Sequence, residues 1–409
     1  MRRISVSPGR QGALRPAVFA FAAMVILGAC GEDSGGAARP TVSSARFVMT
    51  PQDGNDAVAP ESVVTVGSGG GKLAEVVLVA GDGSTASGRM SPGGASWYTD
   101  KPLRYGTKYT LKASAVDVYG LTTSTSETFT TLTPATIVSA EKVTPEKGAT
   151  VGVGMPVSVE FDHAVKDVAV RAAVERRLRL TSSTPVEGAW GWVDDKTVRF
   201  RPKDYWPTGT KVSVATDLYG LPMGDGAYGG TGGGVSDFVI GPAVMTTVDS
   251  AAHQMTVTRN GELLRTVPVT TGKPGFTTRS GTKVILGKEE HVLMDGTTVG
   301  IAEGSSDAYR LDVYWATRVT WSGEYLHAAP WSVGSQGVAN VSHGCVGMST
   351  ENAQWYYGVV TVGDVVNVIN TDSSKTMEPI GNGYGEWNLS WDEWLKDSAA
   401  GAVTAAKPV

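Results

Sequence analysis

Residues 327–348, reading HAAPWSVGSQGVANVSHGCVGM, hold two of the five histidines and one of the two cysteines in this chain of 409 residues. A thiol becomes a nucleophile when a neighbouring imidazole takes its proton, because the thiolate attacks and a paired His lowers the thiol pKa. Cys345 has two such candidates. His343 stands two residues before it, on the same face if the segment is extended, and His327 stands eighteen positions upstream, far enough to arrive from a neighbouring strand. Spacing alone does not choose between them. Gly344 and Gly347 allow the backbone to turn tightly around the sulfur, so that main-chain N–H groups can point at an oxyanion, and Ser342 and Tyr325 are close by. A lone Cys is more often a small buried hydrophobe. A Cys–His metal site is a weaker reading, since structural zinc usually takes four N or S ligands and this stretch offers fewer.

The motif around the sulfur reverses the ordinary expectation for a Cys. His327, fourteen intervening residues and then Ser342-His343-Gly344-Cys345 resemble the signature of the L,D-transpeptidase (YkuD-type) catalytic domain. Residues 253–275 upstream and 353–357 downstream also look like this family, and the whole chain resembles its multi-domain lipoprotein members from actinobacteria. The resemblance implies a cofactor-free acyltransferase acting on peptidoglycan tetrapeptide stems. In such an enzyme the Cys attacks the carbonyl between an L-centre diamino acid and the terminal D-Ala, D-Ala leaves, and a second stem's side-chain amine resolves the thioester into a cross-link between third-position residues. Carried over by position, Cys345 is the nucleophile and His327 the base, oriented by the backbone carbonyl of Ala328, where the family often has Ser. His343 and Gly344 shape the oxyanion side, Ser342 belongs to the motif, Tyr309 turns its hydroxyl to the substrate carbonyl, and Met294 and Trp331 line the pocket. The resemblance also implies acylation by carbapenem-type β-lactams. One departure stands out. After the Cys the family has an apolar residue and then Asn, whereas this chain has Val346 and Gly347, so donor affinity is in doubt and Gly347→Asn is expected to tighten it. The alternatives are a catalytically idle cell-wall binding module and a hydrolytic, carboxypeptidase-like protein.

Composition frames the rest. A formal net charge of -5 without basic runs argues against nucleic acid as a partner. With Cys345 assigned to chemistry only Cys30 remains, so no structural disulfide is expected. Arg2, Arg3, Arg10 and Arg15 precede an apolar run, 17–29, too short to span a bilayer, which reads as an export signal. Leu27-Gly28-Ala29-Cys30 resembles a lipobox, implying that residues 1–29 are removed and that lipidated Cys30 holds the protein on the outer face of the plasma membrane.

The expected fold class is mainly β, and 52 glycines suit short strands joined by many turns. Residues 30–45 read as a flexible tether, 46–133 and 134–241 as two tandem immunoglobulin-like sandwiches. Their repeat is visible as Gly106-Thr107-Lys108-Tyr109 with Tyr119-Gly120-Leu121, and Gly209-Thr210-Lys211-Val212 with Tyr219-Gly220-Leu221. The two corner tyrosines are expected to close strand corners, residues 224–234 to form a flexible hairpin loop, and His163 to lie on the surface without a partner. Residues 242–370 form the catalytic domain, with a type I′ hairpin at Asn260-Gly261. A short helix there, capped by Ser349 or Thr350, runs through Tyr357 and is stopped by Gly358. His253 and His291 match no catalytic position and read as structural. In 371–397, Trp387, Trp391 and Trp394 are expected to staple the chain to the second sandwich. Residues 398–409, low in complexity, are expected to be disordered.

Overall fold

The computed structural model describes residues 39–372 and 374–406; the export signal and Cys30 lie outside the described residues. Alternating apolar and polar residues put most of the chain into strands, and these pack as three β-rich units. In the first, a sheet of Arg46–Thr50, Thr65–Gly69, Ser96–Thr99 and Gly88–Met90 lies over one of Asn55–Val58, Thr122–Thr131, Lys108–Asp117, Gly71–Ala80 and Thr85–Ala86. Along Lys108–Asp117 every second side chain is buried, and this inward set meets Val66 and Trp97 of the facing sheet. The expected tether ends earlier than its composition suggests. Ala45 is buried, and the Asp117 carboxylate accepts from the Ser44 N–H at 2.9 Å, which ties this stretch to the sandwich.

The second unit packs Ala140–Thr144, Val157–Phe161, Thr197–Pro202, Val186–Trp192 and Ala402–Ala405 against Thr150–Val151, Val235–Ile240, Lys211–Thr216 and Leu178–Ser182. It also carries a helix, Val168–Arg177, that the sequence reading did not foresee. Three valines in VAVRAAVERR hide the helix, but the Asp167 carboxylate caps it by accepting from the N–H groups of Ala169 and Val170. The glycine-rich stretch begins in a hairpin, as expected, with Pro222–Gly224 paired to Ala227–Gly229. A Cβ at Gly229 would stand 1.9 Å from the Leu218 carbonyl oxygen, so glycine is required by close approach. His163 is exposed but has a partner, Asp162, at 2.9 Å. The corner tyrosines diverge: Tyr119 is exposed, whereas the Tyr219 hydroxyl donates to the Leu103 carbonyl at 2.8 Å and so seals the joint between the two sandwiches.

The tail corrects another expectation. Ala402–Ala405 pairs antiparallel with Val186–Ala189, and the buried Glu175 carboxylate accepts from the N–H groups of Ala399 and Ala400 and from the Ser398 hydroxyl. Low complexity describes side chains, and here backbone hydrogen bonds to a buried anion order the segment. Residues 407–409 lie outside the described residues.

The third unit contains two sheets. Glu262–Pro268, Gln254–Arg259, Val244–Asp249, Val365–Ile369 and Gly281–Val284 form one; Gly287–Asp295, Arg310–Arg318, Tyr325–Ala328 and Val346–Met348 form the other. Asn260 and Gly261 have φ of 51° and 86°, as a type I′ turn demands. The core contains Met255, Val257 and Val366 from the first sheet and Leu326, Val346 and Met348 from the second. The helix Thr350–Val359 is capped by Ser349, whose hydroxyl accepts from the Asn352 N–H, and runs one residue past Gly358. Trp387 donates to the Gly154 carbonyl at 2.8 Å, Trp394 is fully buried and donates to the Ala189 carbonyl at 3.1 Å, and Arg201 stacks over Trp387 and Trp391. The aromatic segment thus fastens onto the second sandwich.

Candidate active site

Two strands set the site. Tyr325–Ala328 and Val346–Met348 run parallel with His327 opposite Gly347. Side chains alternate across a strand, so Leu326, Val346, Ala328 and Met348 fill the core while His327 and Gly347 face the other way. Cys345, two residues before Gly347, shares that outward face. Cys345, His327, Gly347, Ser342, His343, Tyr309, Met294 and Trp331 all line one cavity of about 310 Å³. Every side chain that the motif singled out is brought together, and Ala328 contributes its carbonyl from the buried strand.

Local hydrogen bonds shape the nucleophile turn. Gly344 has φ of 129°, a conformation that side chains rarely adopt. The Ser342 hydroxyl accepts from the Gly344 N–H at 3.1 Å and donates to the Cys345 carbonyl at 2.6 Å. Thr278 donates to the Gly344 carbonyl at 2.8 Å and accepts from the Gly272 N–H at 2.9 Å. The Gly344 N–H is therefore engaged by Ser342. Against the sulfur itself stand the Gly323 carbonyl, 3.6 Å away, and the N–H of Tyr325.

The histidines have different surroundings. His327 is buried, and its Nδ1 lies 2.8 Å from the Ala328 carbonyl, which can only accept, so Nδ1 carries the proton and Nε2 keeps the lone pair. Burial pushes its pKa below the ordinary imidazole value, outweighing the opposing carbonyl. His343 packs between Phe276 and Tyr309, at 4.8 and 4.9 Å between ring centroids, with Asp307 3.6 Å from its Nε2. Its pKa is lowered by burial first and by Lys273 second, the latter bound to Asp307 at 2.6 Å. Burial also raises the Tyr309 phenol, keeping it protonated and able to donate. The Cys345 thiol is pushed up to about 12, chiefly by burial.

Gly347 has a steric meaning as well. A Cβ there would stand 3.0 Å from both the Ala329 Cβ and the Thr270 Cγ2, so Asn would fit only if these neighbours yield. The expected gain in donor binding from Gly347→Asn is opposed by this crowding. His253 and His291 stand apart from the cavity lining, bound to Asn340 at 3.0 Å and Asp312 at 2.7 Å.

Comparison with known proteins agrees with this geometry. A family described as the L,D-transpeptidase catalytic domain matches residues 244–368, and a bacterial Ig domain family matches 55–222. L,D-transpeptidase 2 of Mycobacterium tuberculosis is 39% identical over 87% of this chain and 85% of its own length. The chain belongs to the L,D-transpeptidase family. L,D-transpeptidase 5 of the same species is 34% identical over 89% of this chain and 79% of its own length. The solved structure of the L,D-transpeptidase LdtMt1 in complex with imipenem is 44% identical, covering 58% of this chain and all of that one, with a TM-score of 0.50.

This L,D-transpeptidase also has a part of its site that the sequence did not announce. A second cavity of about 280 Å³ meets Cys345 from the other side and is lined by Phe276, Arg279, Gly323, Glu324 and Gly344 among others. Beneath it the Lys283 ammonium, fully buried, binds Glu324 at 2.6 Å, and Arg279 reaches the same carboxylate at 3.1 Å. No local pattern marks Lys283, since a lysine in a strand normally faces water; only Glu324, in the turn that leads into Tyr325–Ala328, accounts for its burial.

Proposed function

We propose that this protein cross-links peptidoglycan, with Cys345 as the nucleophile and His327 as its base. The observation that carries the reading is the shared cavity: His327 on its strand and Cys345 in the turn that enters the parallel partner strand line the same pocket, with the imidazole tautomer fixed by Ala328. The Cys345 sulfur attacks the carbonyl between the diamino acid and terminal D-Ala while its proton passes to His327 Nε2. The carbon–nitrogen bond breaks, the proton goes to the departing D-Ala amine, and a thioester remains. An amine from a second stem then adds to the thioester and yields its proton to His327, which returns it to the leaving sulfur. The Tyr309 hydroxyl donates to the developing oxyanion, and Met294 and Trp331 hold the apolar part of the stem. His343 and Gly344 keep the nucleophile turn and Tyr309 in place. A β-lactam carbonyl presents the same electrophile, so carbapenems such as imipenem acylate Cys345.

Incubating the mature protein with tetrapeptide stems and reading products by mass spectrometry tests this. A dimer with loss of D-Ala is expected; an unchanged stem refutes catalysis, and a tripeptide without dimer makes water the acceptor. For anchoring, we propose cleavage before Cys30 and lipidation of that residue, which would hold the enzyme on the outer face of the plasma membrane. Labelling with a fatty-acid analogue, lost in Cys30→Ala, is the check.

A further inference from the structure

The mechanism above leaves the buried ions beside the second cavity without a task. Glu324 lies between Gly323 and Tyr325, whose carbonyl and N–H are the main-chain groups on the Cys345 sulfur. Its carboxylate is held on one oxygen by Lys283 at 2.6 Å and on the other by the Arg279 guanidinium and backbone N–H, both at 3.1 Å. The Glu324 N–H donates to the Thr320 hydroxyl at 2.8 Å. The backbone that grips the sulfur is therefore fixed by a side chain clamped from both sides.

The charges matter too. Within the protein two cations share one carboxylate. The next anion, Glu378, reaches only the far side of Arg279 at 2.9 Å, and its side chain is 45% exposed, hence screened by water. At the sulfur the Glu324 charge is the stronger influence and opposes ionisation, while Lys283, bound to the same carboxylate as Arg279, offsets it. The other titratable groups facing the sulfur are His327 from its own strand, His343 and Tyr309 across the cavities, and Tyr325 next to Glu324.

We propose that Lys283, Arg279 and Glu324 are positioning residues for Cys345, fixing the Gly323–Tyr325 backbone against the sulfur, with the two cations offsetting the Glu324 charge that would otherwise oppose its thiolate. This rests on the reading of Cys345 as nucleophile. Glu324 raises the thiol pKa more than Lys283 lowers it, so Lys283 acts as the counter-charge that limits this effect. Because Lys283 carries the unshared contact with one Glu324 oxygen, its loss removes charge and clamp together.

Iodoacetamide modification of Cys345, followed from pH 6 to 10 by peptide mapping of the full-length protein, reports the thiolate. Lys283→Met should lower the rate at pH 9 by about tenfold, the effect of one pKa unit. Release of D-Ala by the same variant should lose kcat with little change in KM. A folded Lys283→Met protein with the wild-type rate and pH profile overturns the proposal, including when its melting temperature has fallen, since that outcome assigns Lys283 to packing alone. If Lys283→Met does not fold, Arg279→Gln decides. It leaves Lys283 paired and should slow modification about threefold; an unchanged rate overturns the proposal. Wild-type protein that neither modifies at Cys345 nor releases D-Ala would instead refute the nucleophile assignment, so the two failures are distinct.

Discussion

A thiol raised by burial and an imidazole lowered by burial leave Cys345 and His327 both neutral at rest. Proton transfer then accompanies attack instead of preceding it. Because the base must be neutral, and its pKa lies below the ordinary imidazole value, acylation should be level through neutral pH and decline only below about 6.5. Stopped-flow measurement of imipenem acylation against pH checks this, and an acid limb centred above that value contradicts it. His327→Ala should reduce acylation by about 10²–10⁴-fold, the range for loss of a general base, whereas His343→Ala should cost less because Phe276 and Tyr309 still wall the cavity. At this scale the sequence was informative where chemistry is local. Cys345 stands out by residue type and by the two histidines near it, whereas the choice of His327 over His343, like Tyr309, comes from resemblance. Lys283 does not, because what makes it unusual is a carboxylate forty-one residues away. Nor could spacing show that Ser342 engages the Gly344 N–H, which depends on a side-chain rotamer within the turn.

Elements were readable where one pattern dominates. The Asn260-Gly261 hairpin and the Ser349 cap each follow from local backbone preference. The helix Val168–Arg177 and the strand Ala402–Ala405 were not, since valines favour strands and Ala-Gly stretches favour nothing. Both depend on Glu175, on that helix, which accepts from Trp192 Nε1 at 2.9 Å and from the tail N–H groups at 2.8 Å. Glu175→Ala removes the common acceptor of several buried donors. A loss of about 2 kcal/mol or more in urea unfolding is expected, with faster hydrogen exchange at Ala399 and Ala400. Exchange equal to wild type would mean that strand pairing alone orders the tail.

For the whole molecule the decisive feature is the continuity of the second sandwich with the catalytic domain. Val284, Val365 and Tyr384 belong to the same apolar cluster as Trp206 and Phe200, and Gly152 and Gly154 donate to the carbonyls of Val362 and Gly363 at 2.8 and 2.9 Å. Asp364 is buried in this seam, where burial pushes its carboxyl up to about 7. A carboxyl raised above its unfolded value of 3.8 favours folding fully below that value, and the contribution is lost as pH rises through about 7. Asp364→Asn, which keeps an oxygen for the Thr361 N–H, should therefore melt higher than wild type at pH 8, the two converging toward pH 4. Equal melting temperatures at both pH values would refute the buried-charge argument.

The last strand has a further consequence, for the company this molecule keeps. Val186–Trp192 would be the outer strand of its sheet without Ala402–Ala405 alongside it. Its outer rim would then offer unsatisfied N–H and C=O groups to any passing extended chain, the usual template for edge-to-edge aggregation. Ala402–Ala405 moves the free rim to a strand of only four residues, which leaves a neighbouring chain little to pair with.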